Sequence, residues 1–222
     1  DGTKLSKDDI LNLSPLKGSD EADNLYLTNE NDILNAGNGN DEIHGKKGDD
    51  IINGDSGDDR LFGGDGNDIL NGGTGNDELY GEDGNDTYVF SKNWGKDTIV
   101  DNQGLNSIEF IDGINVNDLV FDKNGNDLVI SDKELKNTIT IKNIVNENGT
   151  LNNSISKIIF NRKIINGKES FDFITTNEIL DYMIRPSDES DELIGYNDHS
   201  YTINALDGND TIITNIKDDI LI

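Results

Sequence analysis

Cysteine is absent from the 222 residues, which removes disulfides, thiolate metal sites and thiol nucleophiles together. Aromatic residues make up 6% and hydrophobic residues 32% of the chain, thin stock for a large packed core, so something other than apolar burial has to stabilise the fold. Basic residues are also scarce, with 18 Lys and Arg against 45 Asp and Glu and a net charge of -27. That balance argues against nucleic acid and anionic membranes, which are bound through clusters of Lys and Arg, and in favour of cations as partners. No apolar run approaches the ~18 residues of a transmembrane helix, and no signal peptide opens the chain. The sequence begins without Met and stops at Asp219-Ile220-Leu221-Ile222 inside a repeat-like stretch, so it is expected to be a fragment of a longer protein.

Signatures of catalysis are missing as well, and the chain is expected not to be an enzyme. With only His44 and His199, no H-E-x-x-H zinc site can form, and both are expected at solvent-facing variable positions. There is no G-x-S-x-G elbow and no G-K-[ST] phosphate loop. Paired carboxylates abound only because Asp abounds, so they identify no hydrolase. The stretch Asp122-x-Asn124-x-Asn126 has the opening of an EF-hand loop. Asp127 replaces the Gly that loop needs, however, and Lys133 the bidentate Glu, so it reads as a hairpin turn. The Asn-Asp-Thr triplets at 85–87 and 209–211 each use an Asp that the repeat described next requires.

What the chain does contain is a nine-residue pattern repeated eight times from residue 18 to 89, without insertion or deletion. Its clearest copies read G-G-D-G-N-D-I-L-N (63 to 71) and G-G-T-G-N-D-E-L-Y (72 to 80). Position six is Asp23, Asp32, Asp41, Asp50, Asp59, Asp68, Asp77 and Asp86. Position eight is always apolar: Leu25, Leu34, Ile43, Ile52, Leu61, Leu70, Leu79 and Tyr88. Position four is Gly39, Gly48, Gly57, Gly66, Gly75 and Gly84 in the last six copies but Glu21 and Glu30 in the first two, which read as degenerate edge copies.

Six residues rich in Gly, Asn and Asp make a tight turn because Gly accepts positive φ without steric cost. Three residues remain for a short strand whose middle, apolar side chain points inward. Two units then close one flattened coil, and coils stack as parallel strands about 4.8 Å apart, placing copies n and n+2 on one edge. Bare carboxylates so aligned repel by roughly 3 kcal/mol per pair at an effective dielectric near 20. Summed over the neighbouring pairs, this rivals the roughly 5–15 kcal/mol that keeps a domain folded. A hard divalent cation between turns reverses the sign. Calcium suits the place because it takes six to eight oxygens, backbone carbonyls included, in flexible geometry, and its binding then becomes one event with folding.

The array resembles the haemolysin-type calcium-binding, or RTX, family, most closely at residues 36 to 89. The resemblance implies an all-β parallel β-roll, export by a type I secretion apparatus, an extracellular location and folding triggered by calcium. It places calcium on Asp41, Asp50, Asp59, Asp68, Asp77 and Asp86, with Asp23 and Asp32 the corresponding residues of the first two copies. Copy two carries Leu27 and Thr28 where the motif has glycines. The backbone carbonyls of Gly45, Lys47, Gly54, Ser56, Gly63, Asp65, Gly72, Thr74, Gly81 and Asp83 would complete the shells, for four to six ions in all. The parent is expected to be a haemolysin-like toxin engaging a host-cell surface. Alternatives are an adhesin module binding glycan or protein, and the C-terminal region of a secreted protease or lipase.

Around the array, residues 1–17 read as a cap or linker, with Ser6-Lys7-Asp8-Asp9 opening a short helix at Ile10 to Leu13. Residues 90–185 read as a flank that caps the roll, with the aromatics of 87 to 99, Trp94 among them, plugging its last coil. Sugar stacking is a second reading for Trp94. Antiparallel strands are expected at 107–110, 118–121, 127–130, 138–141, 155–160 and 171–174. Asp112-Gly113, Asn124-Gly125-Asn126 and Asn148-Gly149 supply turns, and Thr175 to Glu178 opens a helix over 179–184. Residues 186–222 resume the repeat imperfectly. They include Asp191, a ten-residue copy (195 to 204) with Ser200 and Tyr201 where Asp is wanted, and the good turn Asp207-Gly208-Asn209-Asp210. They are expected to start a second, truncated roll with Asp210 and Asp219 as metal ligands.

Overall fold

The computed structural model describes residues 15–134, 136–145, 151–152, 154–165, 168–176, 178–179, 192–194, 202–203, 211–213 and 220–221. The helix expected at 10–13, the Asn148-Gly149 turn and residues 180–184 lie outside the described residues.

The strands are β1 (Leu16–Lys17), β2 (Asn24–Tyr26), β3 (Ile33–Asn38), β4 (Glu42–Lys47), β5 (Ile51–Ser56), β6 (Arg60–Asp65), β7 (Ile69–Asn71), β8 (Glu78–Asp83) and β9 (Thr87–Phe90). Each of the eight units of the array contributes one strand, β2 to β9, and β1 lies just before the first unit. Odd strands form one sheet and even strands the other, and every strand is parallel to the one two units away. Register follows position eight: Leu16 opposes Leu34, which opposes Ile52, then Leu70 and Tyr88, while Leu25, Ile43, Leu61 and Leu79 align in the second sheet. From Leu34 to Tyr88 these side chains are at most 2% exposed. The core is thus one file of position-eight side chains per sheet, each worth about 1.5–3 kcal/mol on burial, with Ala36 and Phe90 buried beside it.

Five of the strands, β3 to β6 and β8, run to six residues where three were expected. The first residues of the next copy remain in the ladder, as Gly37 pairs with Asp55 and Asn38 with Ser56. With no side chain to turn inward, the Gly-rich segment can keep its backbone paired while it begins to bend.

The strict period ends at residue 89, but the sheets do not. β10 (Lys96–Ile99) is parallel to β8, and β11 (Asn106–Phe110) is parallel to β9. Ile99 opposes Leu79 and Ile108 opposes Tyr88, so the apolar file continues, now at a step of 20 residues instead of 18. A 3-10 turn (Val116–Asp118) leads to β12 (Leu119–Asn124), β13 (Asp127–Asp132) and β14 (Thr138–Ile141), and later come β15 (Ile155–Ile165) and β16 (Lys168–Thr175). Here the antiparallel expectation needs correction. The β12–β13–β14 meander and the β15–β16 pair are antiparallel, but β14 joins β10, and β15 joins β11, in parallel. Ile141 and Ile158 extend the same apolar file, opposite Ile99 and Ile108. The 122–127 stretch is the hairpin turn read from the sequence, with Asn124 opposite Asp127.

Trp94, 3% exposed, packs with Phe90 and Phe110 at ring separations of 6.2 and 5.6 Å, and Phe110 stacks on Phe160 at 5.6 Å. It is therefore a plug, as expected, although the roll continues past it, and its burial leaves no face for a sugar. Thr175 donates its N–H and hydroxyl to Glu178, both at 2.7 Å, which is the reciprocal half of the expected capping box. Near the C-terminus, β17 (Glu192–Ile194) pairs in parallel with β19 (Thr211–Ile213), and β18 (Thr202–Ile203) with β20 (Ile220–Leu221). This is the alternate-strand pairing of a second partial roll.

Position-four glycines are needed for two separable reasons, conformation and stacking. Gly57 has φ +135° and a Cβ there would lie 1.7 Å from the Gly39 carbonyl oxygen, whereas Gly113 has φ +76° and nothing within 4 Å. Gly113→Ala should cost only the left-handed strain, about 1–2 kcal/mol. Gly57→Ala should cost several times as much, measured by chemical denaturation with calcium present.

Candidate metal centre

Each turn of the last six copies bends through two left-handed residues. At position two these are Gly37, Lys46, Asp55, Gly64, Gly73 and Glu82, with φ between 71° and 110°, and at position four Gly39 to Gly84, with φ between 112° and 155°. This bend swings the position-six carboxylate inward, against position one. There Gly leaves a cradle: a Cβ on Gly45 would lie 2.6 Å from Asp50 Oδ2 and 2.2 Å from the Gly63 carbonyl oxygen. On Gly54 it would meet Asp59 Oδ2 at 2.2 Å and the Gly72 oxygen at 2.6 Å, and on Gly63 it would meet Asp68 Oδ2 at 2.3 Å and the Gly81 oxygen at 2.8 Å. Position one is glycine because a carboxylate oxygen and a carbonyl oxygen of the next coil converge there.

The two oxygens of each aspartate differ in their surroundings. Oδ1 accepts the N–H of the aspartate one coil earlier: Asp23 to Asp41, Asp32 to Asp50, Asp41 to Asp59, Asp50 to Asp68 and Asp68 to Asp86 at 2.8 Å, and Asp59 to Asp77 at 2.9 Å. Oδ2 of Asp41, Asp50, Asp59, Asp68, Asp77 and Asp86 is buried without a hydrogen-bond partner. An unpaired anionic oxygen in such a place is costly. Loss of water pushes Asp50, Asp68 and Asp77 up to about 6 and Asp59 and Asp86 up to about 7, and it raises Asp41; the hydrogen bond to Oδ1 only partly opposes it. The donor set fits a hard, oxygen-seeking cation: one orphaned carboxylate oxygen per turn with carbonyl oxygens beside it. No group of three or more His, Cys, Asp or Glu that could hold a metal ion occurs among the described residues, so such an ion would draw on main-chain oxygens. The carbonyls of Ser56, Asp65, Thr74 and Asp83 each accept one N–H from the preceding coil, at 2.8 to 2.9 Å, and keep a second lone pair.

The first two copies are built differently. Asp23 Oδ2 accepts the N–H and hydroxyl of Ser19 at 2.7 and 3.0 Å, and Asp32 Oδ2 those of Thr28 at 2.8 and 2.7 Å. A hydroxyl residue at position two thus supplies the donors that the other six lack. Lys46 reaches the Leu27 carbonyl oxygen with its ammonium at 2.5 Å, setting a tethered positive charge on copy two. Copy three keeps Asp41 but has Ala36 at position one, so a methyl group occupies that cradle. Asp210 and Asp219 lie outside the described residues. His44, expected to face solvent alone, is half-buried in a stack running Tyr26–His44–Phe62–Tyr80, with ring separations of 4.6, 4.7 and 4.6 Å. Position-nine side chains lie directly above one another in a parallel register.

Three residues beyond the array escaped the sequence reading. Asp97 Oδ1 accepts the Asp77 N–H at 2.9 Å, and Asn106 Oδ1 accepts that of Asp86 at 2.7 Å, so both continue the position-six ladder. Asp101 stands where position one would be, and its Oδ2 takes the Tyr88 hydroxyl at 2.5 Å and the Asn106 amide at 2.7 Å. The triplets Asp97-Thr98-Ile99 and Asn106-Ser107-Ile108 keep the Asp/Asn-x-apolar signature, but two extra residues before Gly95 break the nine-residue phase that would have exposed them.

The fold is that of a parallel β-roll. The RTX calcium-binding nonapeptide repeat (4 copies) matches residues 17–52, 53–88 and 202–222, and these residues carry that repeat. No curated protein sequence matches. Among solved structures, the extracellular lipase LipA from Serratia marcescens is similar over 82% of this chain and 25% of its own, with 20% identity and a TM-score of 0.28.

Raised carboxyl pKa values make the metal-free fold pH-dependent with a definite sign. The folded values of about 6 to 7 lie above the roughly 3.9 of an unfolded Asp, so the folded chain holds protons that the unfolded chain releases. The stabilisation is complete below about pH 4 and is lost as pH rises through about 6 to 7. In chelator, the melting temperature should be higher at about pH 5 than at about pH 8; with saturating calcium, which binds the ionised form, that order should flatten or reverse.

Proposed function

We propose that this chain is a non-enzymatic calcium-binding folding module of a type I-secreted protein, the parent being a haemolysin-like toxin. The observation that carries the reading is the row of six buried carboxylate oxygens without partners, five of them, from Asp50 to Asp86, set against a glycine cradle. At low intracellular calcium the row opposes folding and the chain passes a secretion channel extended. Outside the cell, calcium near millimolar meets the roughly 0.1–1 mM affinities of extracellular modules and pulls the roll together. The acidic surface favours this uptake and keeps the unfolded chain soluble. Engagement of a target-cell surface by the folded roll belongs to the same reading.

The test is a calcium titration of the chain from chelator to several millimolar, followed by far-ultraviolet circular dichroism with magnesium as control. A cooperative gain of β signal specific to calcium is expected, and a chain already fully folded in chelator would refute the reading. Calorimetric stoichiometry should separate the aspartates. Asp59→Asn should bind one calcium fewer than the parent, whereas Asp32→Asn, whose carboxylate already has its donors, should bind the same number.

A further inference from the structure

The row of stranded carboxylates does not stop where the repeats stop. Asp97 is 2% exposed and its Oδ2 is buried without a partner, while its Oδ1 makes the inter-coil bond made by the six array aspartates. Gly95 repeats the stacking of a position-four glycine, having φ +92° and a virtual Cβ 1.6 Å from the Gly75 carbonyl oxygen. The turn leading to Asp97 is therefore a repeat turn in its second half, rebuilt in its first half by residues 90–94. Those residues carry another stranded polar atom, the indole Nε1 of Trp94, buried without a partner.

We infer that Asp97 is the carboxylate ligand of a further calcium site lying outside the nonapeptide array, formed where the roll passes into its flank. The inference rests on the calcium reading of the array, and its chemistry is the same: a hard cation drawing on one aspartate and main-chain oxygens. The ladder then ends by a change of residue. At the following ladder position Asn106 replaces Asp, and its amide donates to Asp101, which also accepts the Tyr88 hydroxyl. Neutral donors there do what the ion does one turn earlier. The consequence is that calcium orders the flank as well as the repeats, because Trp94, three residues from Asp97, packs on Phe90 and Phe110.

Trp94 is the only tryptophan in the chain, which gives the test a local probe. Terbium, a hard luminescent substitute for calcium, is titrated into the full chain and into Asp97→Asn. Excitation at the red edge, where tryptophan alone absorbs, is compared with excitation through tyrosine, and calcium stoichiometry is measured by calorimetry in parallel. Asp97→Asn keeps the amide acceptor for Asp77 and removes only the charge, so circular dichroism in calcium should show the roll retained. The expected result is one calcium fewer and a loss of tryptophan-sensitised emission, with tyrosine-sensitised emission from the array kept. An unchanged stoichiometry and unchanged tryptophan-sensitised emission overturn the inference and leave the array reading standing. Absence of calcium uptake by the parent chain overturns both. Should Asp97→Asn fail to fold, Asp97→Glu, which retains the charge but displaces it, should lower the affinity of one site only; uniform affinity across all sites overturns the inference.

Discussion

From Asp41 to Asp86, each coil of this roll carries two carboxylates to places where water cannot reach one of their oxygens, and the rest of the molecule follows from that. A thin core, one file of position-eight side chains per sheet, cannot bear the cost of stranding a row of anions. Position one is glycine so that the stranded oxygen and a carbonyl can come together, position four is glycine so that coils can close on each other, and the bend at position two aims the aspartate inward. The turn sequence is thus set by the carboxylate it buries, and apolar burial alone would have selected a different one.

The two ends of the roll resolve the same problem with the chain's own groups. At the N-terminal end, Ser19 and Thr28 donate to Asp23 and Asp32, and Lys46 sets an ammonium on the Leu27 carbonyl. At the C-terminal end, Asn106, Asp101 and Tyr88 form a closed neutral-donor network. The substitutions that make these copies look degenerate are what allow them to be ends. Position four reads the same way: a Cβ on Gly39 would strike the Glu21 backbone, so glycine is required where another copy of the array lies two units earlier, which is not the case for Glu21 or Glu30.

The roll was legible because its period is strict: Asp at six, an apolar residue at eight and Gly at four fix turn, strand and register without reference to anything distant. The flanking strands were legible as strands, 138–141 to the residue, from alternation and from turns such as Asn124-Gly125-Asn126. Their direction was not, because alternation specifies which face is buried and says nothing of which neighbour is joined. Asp97 was hidden by a two-residue insertion, since a periodic search reads phase before it reads chemistry. Whether an Asp carries its own donors, as Asp32 does, depends on a hydroxyl four residues earlier and on the fold that brings the two together.

The outer column Tyr26–His44–Phe62–Tyr80 follows from the same parallel register, with rings within 11° of coplanar. Each ring spends its faces on its neighbours and shows solvent an edge. For a flat ligand seeking a face to lie on, such a column behaves as a stack of plates, accessible only at its ends. Tyr26, 63% exposed, is such an end, and Arg60 and Lys46 crowd the sides of the column with positive charge. Lengthening the array by further coils would bury another carboxylate with every copy, but it would add not one new aromatic face.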